Sequence, residues 1–370
     1  MRTKVYVQFA YCNFLVNATK KFILLFCFLI SFAHAEKILN VYIGSNYIAD
    51  ETITRLQQIC NCHLSQNYFN DNEEMLAKIV AGASGYNVIV ATSYAVDELA
   101  KMGKIMPLDF SRIPNVKYID PKFMNQSYDP GNIYSVPYAY TPVFLAYNQD
   151  KMKQLGIVPD SWAVVFDLKY LVKLKGRITM FSSSRHVFAA ALLYLGKDPN
   201  TTNLADLQAA RKLINKASPY WAKFDSDSYY RGLLRGDIWL AMSYSIDIYK
   251  TMQDAISSHS PIKIGAMLQK EGDMYELDNM VIPKSSPNLA MSYDFINNAL
   301  NPQSAYELSN ATGSSVPNAV AFKRLSASVT GIDWIYPKNM KKMYVFQAYD
   351  PKTRILVNEM WTEIQMQCHY

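Results

Sequence analysis

Asn87-Val-Ile-Val-Ala91, followed by Thr92-Ser93-Tyr94, sets how the rest of the chain is read. A short apolar run without alternation, bounded by turn residues, is the mark of a strand buried on both faces, as in a parallel sheet. Upstream, Ile38 to Ile43 reads as another strand. Asp50 to Cys60 reads as a helix with Ile53, Leu56 and Ile59 at helical spacing, and His63 to Gln66 as a short polar strand. Asn72 is expected to cap a further helix, with Glu73 and Glu74 in its first turn, Met75, Leu76, Ile79 and Val80 on its apolar face, and Gly82 at its end. Downstream, a helix from Val96 to Met102 stops at Gly103. The order β-α-β-α-β-α opens a doubly wound α/β sheet.

The pattern restarts after Tyr134. Strands are expected at Val143 to Tyr147, Arg177 to Phe181, Ile238 to Ser243 and Ile262 to Met267. Helical segments fall in Asp160 to Leu171, after Ser182-Ser183-Ser184, and at Leu204 to Ala217. Two α/β lobes without a long linker fit a chain of 370 residues. Half the residues are apolar and 27 are tyrosine, so the chain can build a core and is not a disordered one. A mean hydropathy near zero excludes a polytopic membrane protein.

The net charge of +6 first suggests a nucleic-acid partner. The N-terminus removes that suggestion. Lys20-Lys21, the apolar run Phe22 to Phe32, and Ala33-His34-Ala35 have the order of a cleavable signal peptide over residues 1–35. Cleavage removes Arg2, Lys4, Lys20 and Lys21 and no acid, leaving 33 basic against 31 acidic residues. The mature protein is therefore expected to be exported, soluble and without affinity for nucleic acid. Cys60, Cys62 and Cys368 remain, an odd number. Cys60 and Cys62 stand two apart, which is poor geometry for a bridge, and pairing of either with Cys368 has no support. Cys60-Asn-Cys62-His63 does not have zinc-ribbon spacing, so no metal and no cofactor is expected.

The chain has no P-loop, no dinucleotide fingerprint, no zincin motif and no nucleophile elbow. Ser183 with His186 is the one pair from which an enzyme could be argued, and helix capping by the serines is the favoured reading. Hydroxyl and aromatic residues recur where strands end: Ser45 and Tyr47, Thr92 and Tyr94, Ser183 and His186, and Tyr244. Ligands of open α/β sheets bind at the carboxyl ends of strands. The recurrence in both halves of the chain points to a cleft between two lobes.

The chain resembles the periplasmic spermidine/putrescine-binding proteins of bacterial ABC importers. The resemblance runs over the whole mature chain. It is carried by Leu39-Asn-Val-Tyr-Ile-Gly-Ser-Asn-Tyr47, Val90-Ala-Thr-Ser-Tyr-Ala-Val-Asp97, Tyr134-Ser-Val-Pro-Tyr-Ala-Tyr140 and Ser184-Arg-His-Val-Phe188. Arg235-Gly-Asp-Ile-Trp-Leu-Ala-Met242, Lys270-Glu-Gly272, Leu277-Asp-Asn-Met-Val-Ile-Pro283 and Val316-Pro-Asn-Ala319 continue it in order. The resemblance implies an α/β, two-lobe periplasmic binding protein fold (type II) with a hinge between the lobes. Lobe 1 would comprise residues 36–139 and 278–322, and lobe 2 residues 140–277 and 323–370. Crossings would lie near Tyr138 to Tyr140, Glu276 to Asp278 and Ala319 to Leu325.

By the same resemblance the chain is a monomer that binds a small cationic amine in the periplasm and hands it to an inner-membrane permease. The implied ligand residues are Ser45, Tyr47, Thr92, Tyr94, Ser183, His186, Tyr244, Glu276, Asp278 and Gln347. Asp278 carries most of the expectation, because a buried ammonium needs a carboxylate partner. The chain departs from the pattern at Gly44, where an aromatic is usual, at Ser183 and His186, where acids are, and at Glu276 and Ser314, where aromatics are. These departures leave open a different solute, such as another amine or an amino acid.

Overall fold

The computed structural model describes residues 37–45, 47–69 and 72–367. The signal segment, Cys368 and His369 lie outside them. The described strands, in chain order, are β1 (Ile38–Ile43), β2 (His63–Tyr68), β3 (Val88–Thr92), β4 (Ser135–Asn148), β5 (Ile178–Met180), β6 (Lys223–Phe224), β7 (Leu240–Tyr244), β8 (Ile264–Met267), β9 (Asp273–Val281) and β10 (Met343–Val345). They form one mixed sheet in the order β2-β1-β3-β9-β4-β7-β5-β6, with β10 beside β9 and β8 beside β4. From Leu39 onward the chain is a single compact unit. The strand expected at Asn87 to Ala91 is β3. It is buried throughout and pairs with β1 in parallel.

Two long antiparallel strands tie the sheet together. β4 pairs with β9 from Ser135 to Val143 and with β7 from Val143 to Tyr147. β9 pairs with β3 from Asp278 to Val281 and with β10 from Asp273 to Tyr275. Each therefore belongs to both halves of the sheet. Sequence periodicity reveals only the second half of β4. Its first half is buried on both faces and contains Pro137, so no alternation is visible, and the register shifts between Pro137 and Ala139 to accommodate it. A third segment joins the halves where Tyr140 N–H donates to Ser315 O at 2.8 Å, just before the helix Ala319–Arg324.

Two local expectations are corrected. Asn72 is the first described residue of the helix Asn72–Val80, and its Oδ1 accepts from Thr92 N–H at 3.0 Å, so it ties that helix to β3 instead of capping it. Cys60 and Cys62 are disulfide-bonded, with Cα atoms 5.2 Å apart. Asn61 between them is in the left-handed region (φ 46°), which folds the end of the helix Asp50–Cys60 back on itself and aims both side chains the same way. Spacing alone could not show that bend.

Asp273 opens β9 and is 1% exposed. Its Oδ2 accepts from Gln269 N–H at 2.7 Å, and no basic group is paired with it among the described residues. Burial pushes its pKa well above the ordinary carboxylate value. The folded state therefore holds a proton that the unfolded state releases, and stability is lost as pH rises above the unfolded pKa. The loss is about 1.4 kcal/mol per pH unit across the window. Urea denaturation from pH 4 to pH 8 should show Asp273→Asn losing less stability than the wild type over that range. Parallel curves for the two proteins would contradict this.

Candidate functional site

The carboxyl ends of strands from both halves of the sheet converge on one cavity of about 250 Å³. β1 leads to Gly44, Ser45 and Tyr47, and β3 leads to Tyr94. β5 leads to Ser183 and His186, and β7 ends in Tyr244 with Asp247 in the next helical turn. The shared strands supply the floor: Thr141 from β4, and Glu276 and Asp278 from β9. Side chains two apart on a strand face the same way, so the two carboxylates enter the cavity side by side.

Hydrogen bonds hold these groups in place. Tyr47 O–H donates to Asp278 Oδ2 at 2.7 Å, with Thr141 Oγ1 2.8 Å from the same phenol oxygen. Tyr138 O–H donates to the Tyr47 carbonyl. Tyr94 O–H donates to Glu73 Oε1 at 3.0 Å. His186 Nε2 lies 3.2 Å from Glu276 Oε1 and 3.4 Å from Tyr244 Oη, while its Nδ1 lies 2.9 Å from Ser183 Oγ. Ser183 does occupy the position before its helix, but its hydroxyl serves the imidazole and makes no cap hydrogen bond. Tyr229 O–H donates to Asp247 Oδ2 at 2.7 Å and accepts from Tyr244 N–H at 2.9 Å.

The lining carries Glu73, Asp227, Asp247, Glu276 and Asp278, and no lysine or arginine among the described residues. Burial, and then the Glu276 charge, push the Asp278 carboxyl upward, against the pull of the Tyr47 hydrogen bond. Asp247 is pushed up to about 6, chiefly by burial, with a smaller contribution from Asp227. Burial raises Tyr47, Tyr94 and Tyr244 well above the usual phenol value, so all three remain neutral donors. A cavity of this kind is held in an unfavourable charge state that a cation relieves.

Of the residues expected from sequence, Ser45, Tyr47, Tyr94, Ser183, His186, Tyr244, Glu276 and Asp278 are brought together around the cavity. Thr92 and Gln347 are not. Thr92 is fully buried at the end of β3, directly opposite Asp278 in the strand pair and so on the same face, yet its side chain does not line the cavity. Gln347 is exposed and lines a neighbouring cavity with Arg185 and Tyr349. Ser314 is buried away from the site, against Thr312. Sequence reading missed Thr141, Asp227, Tyr230 and Asp247, and took Glu73 only for a helix first-turn acid. Asp247, three residues past Tyr244, had a readable signal: an acid in the first turn after a strand end.

Residues 64–330 match the family described as bacterial extracellular solute-binding protein. The putrescine/cadaverine-binding protein of Pseudomonas aeruginosa is 37% identical over 336 residues, covering 90% of this chain and 95% of that one. The putrescine-binding periplasmic protein SpuD of the same species is 32% identical, covering 89% and 92%. Among solved structures, the spermidine/putrescine ABC transporter substrate-binding protein PotD of Streptococcus pneumoniae superposes with a TM-score of 0.76 at 25% identity, covering 90% of this chain and all of that one.

Removing the phenol hydroxyl at Tyr47 takes away the one contact that favours Asp278 in its charged form. Tyr47→Phe should therefore raise the Asp278 pKa further, as followed by carbon-13 carboxyl titration. An unchanged or lowered value would show that the hydrogen bond does not set the charge of Asp278.

Proposed function

The chain belongs to the bacterial extracellular solute-binding proteins, and we propose that its solute is a small polyamine, putrescine- or spermidine-like, bound between the two halves of the sheet. The carrying observation is the lining: five carboxylates, neutral phenols and no lysine or arginine among the described residues. An amino acid or other carboxylate-bearing solute would be held best by an arginine or lysine there, and none lines the cavity among the described residues. The curated relatives are named for binding putrescine and cadaverine.

The chemistry follows from the geometry. An ammonium placed at Asp278 replaces the proton that burial keeps there and gains a charge-assisted hydrogen bond. The methylenes pack on the Tyr94 and Tyr244 rings, whose faces also attract the cationic ends. Exclusion of water strengthens each of these contacts. Lobe 1 (36–139 and 278–322) and lobe 2 (140–277 and 323–370) close by bending at β4, β9 and the segment before Ala319, a hinge-type motion. The closed form presents the surface that an inner-membrane ABC permease reads. The protein acts as a monomer in the periplasm after removal of residues 1–35. No helix among the described residues is long and apolar enough to cross a membrane. In this reading Ser183 orients His186 toward Glu276 and is not a nucleophile, so the protein is a carrier and not an enzyme.

Calorimetric titration of the mature protein with putrescine, cadaverine, spermidine and agmatine tests the reading. At least one should bind, and Asp278→Asn should weaken it by a hundredfold or more. Because the carboxyl is raised before binding and lowered by a bound ammonium, binding releases a proton, and affinity should rise with pH from about pH 5 to pH 8. Failure of all four amines to bind would remove the polyamine assignment. Affinity that falls with pH would remove Asp278 as the ammonium partner.

A further inference from the structure

Glu276 and His186 face each other inside the cavity. Glu73, Asp247 and Asp278 each accept a neutral phenol hydroxyl. Glu276 instead faces His186, the only basic side chain in the lining among the described residues. The imidazole is 3% exposed, and its ring is fixed edge-on between Phe181 (5.3 Å) and Phe346 (4.8 Å). Its two nitrogens address Ser183 Oγ on one side and Glu276 Oε1 and Tyr244 Oη on the other. A carboxylate oxygen on one side and a hydroxyl oxygen on the other can accept from both N–H groups of a doubly protonated ring. The acids near it are Glu276 and Asp278 on β9, Glu73 reached through Tyr94, and Asp247 reached through Tyr244 and Tyr229.

The pair also has a definite place along the cavity. Asp278 lies two residues from Glu276 on one face of β9, about 7 Å away at strand rise. On the other side, contacts run from Glu276 to His186, to Tyr244, to Tyr229 and so to Asp247, with Asp227 acting on Asp247. Acid therefore stands on both sides of Glu276, which itself faces an imidazole.

Building on the reading of the cavity as an amine site, we propose that His186 sets the charge pattern of the ligand. As the resident cation on Glu276, it makes the cavity select a diamine charged at its ends over a triamine with an internal ammonium. An internal ammonium would meet an already neutralised carboxylate and a like charge beside it. Methylenes passing the same point meet only the Tyr94 and Tyr244 rings. His186 acts here through Glu276 and is a positioning residue.

Calorimetry with putrescine, cadaverine and spermidine on wild type, His186→Gln, Glu276→Gln and the double variant tests this, with circular dichroism confirming that each is folded. Wild type should bind the better diamine at least tenfold more tightly than spermidine. His186→Gln should raise the ratio of spermidine to diamine affinity at least tenfold, and Glu276→Gln in the same chain should cancel that gain. A merely structural role for His186 would weaken all three amines together and would not depend on Glu276. Wild-type binding of spermidine as tight as that of the diamines, or a ratio unmoved by His186→Gln, overturns the proposal while leaving the amine assignment intact. Absence of binding by every amine overturns both.

Discussion

A carboxylate buried without a fixed cation is the constraint on which the rest depends. Asp278 is 6% exposed and has Glu276 two residues away on the same face of β9. Water cannot solvate the charge, and its neighbour repels it. Among the described residues the Tyr47 hydroxyl, a neutral donor, is what favours the charged form of Asp278.

That carboxylate can be held in place because β9 is held from both sides. It lies between β3 and β4, both of which are buried along most of their length. The same two long strands that form the cavity floor are shared between the halves of the sheet, so the floor is common while the walls belong to one half or the other. Tyr47, Tyr94 and Glu73 stand on the first wall, and His186, Tyr244 and Asp247 on the second. Groups mounted this way can approach a ligand from opposite sides without distorting the floor.

The opposing walls also explain how the site is apportioned. Glu73, Asp247 and Asp278 accept phenol hydroxyls, which are neutral partners. Glu276 faces an imidazole fixed by Phe181 and Phe346, and so carries a different kind of partner from its neighbours. One cavity thus contains two sorts of carboxylate, distinguished by what the facing wall offers them.

Much of this was legible in the residues. The short apolar run at Val88 to Ala91, the helical spacing after Asp50 and the turn residues at strand ends determine the α/β order, because they report local burial and local backbone preference. Polar and aromatic residues after successive strands determine that a cleft exists, since strand ends on one edge of a sheet are neighbours. Other features depend on which distant segments meet. Periodicity does not reveal that β4 starts at Ser135, because both its faces are covered by other parts of the chain. Asn72 reads as a cap until Thr92 N–H is seen to need its oxygen. The Cys60–Cys62 bridge depends on a left-handed residue whose backbone angle no spacing rule supplies. Thr92 has the right type and position for a ligand contact, yet the packed structure buries it completely beside Asp278 and leaves it out of the lining. Sequence alone determined the kinds of group available and the strand ends that carry them. The tertiary structure decided which of those groups face one another, because pairing across the cleft is set by strand order and register, which join residues far apart in the chain.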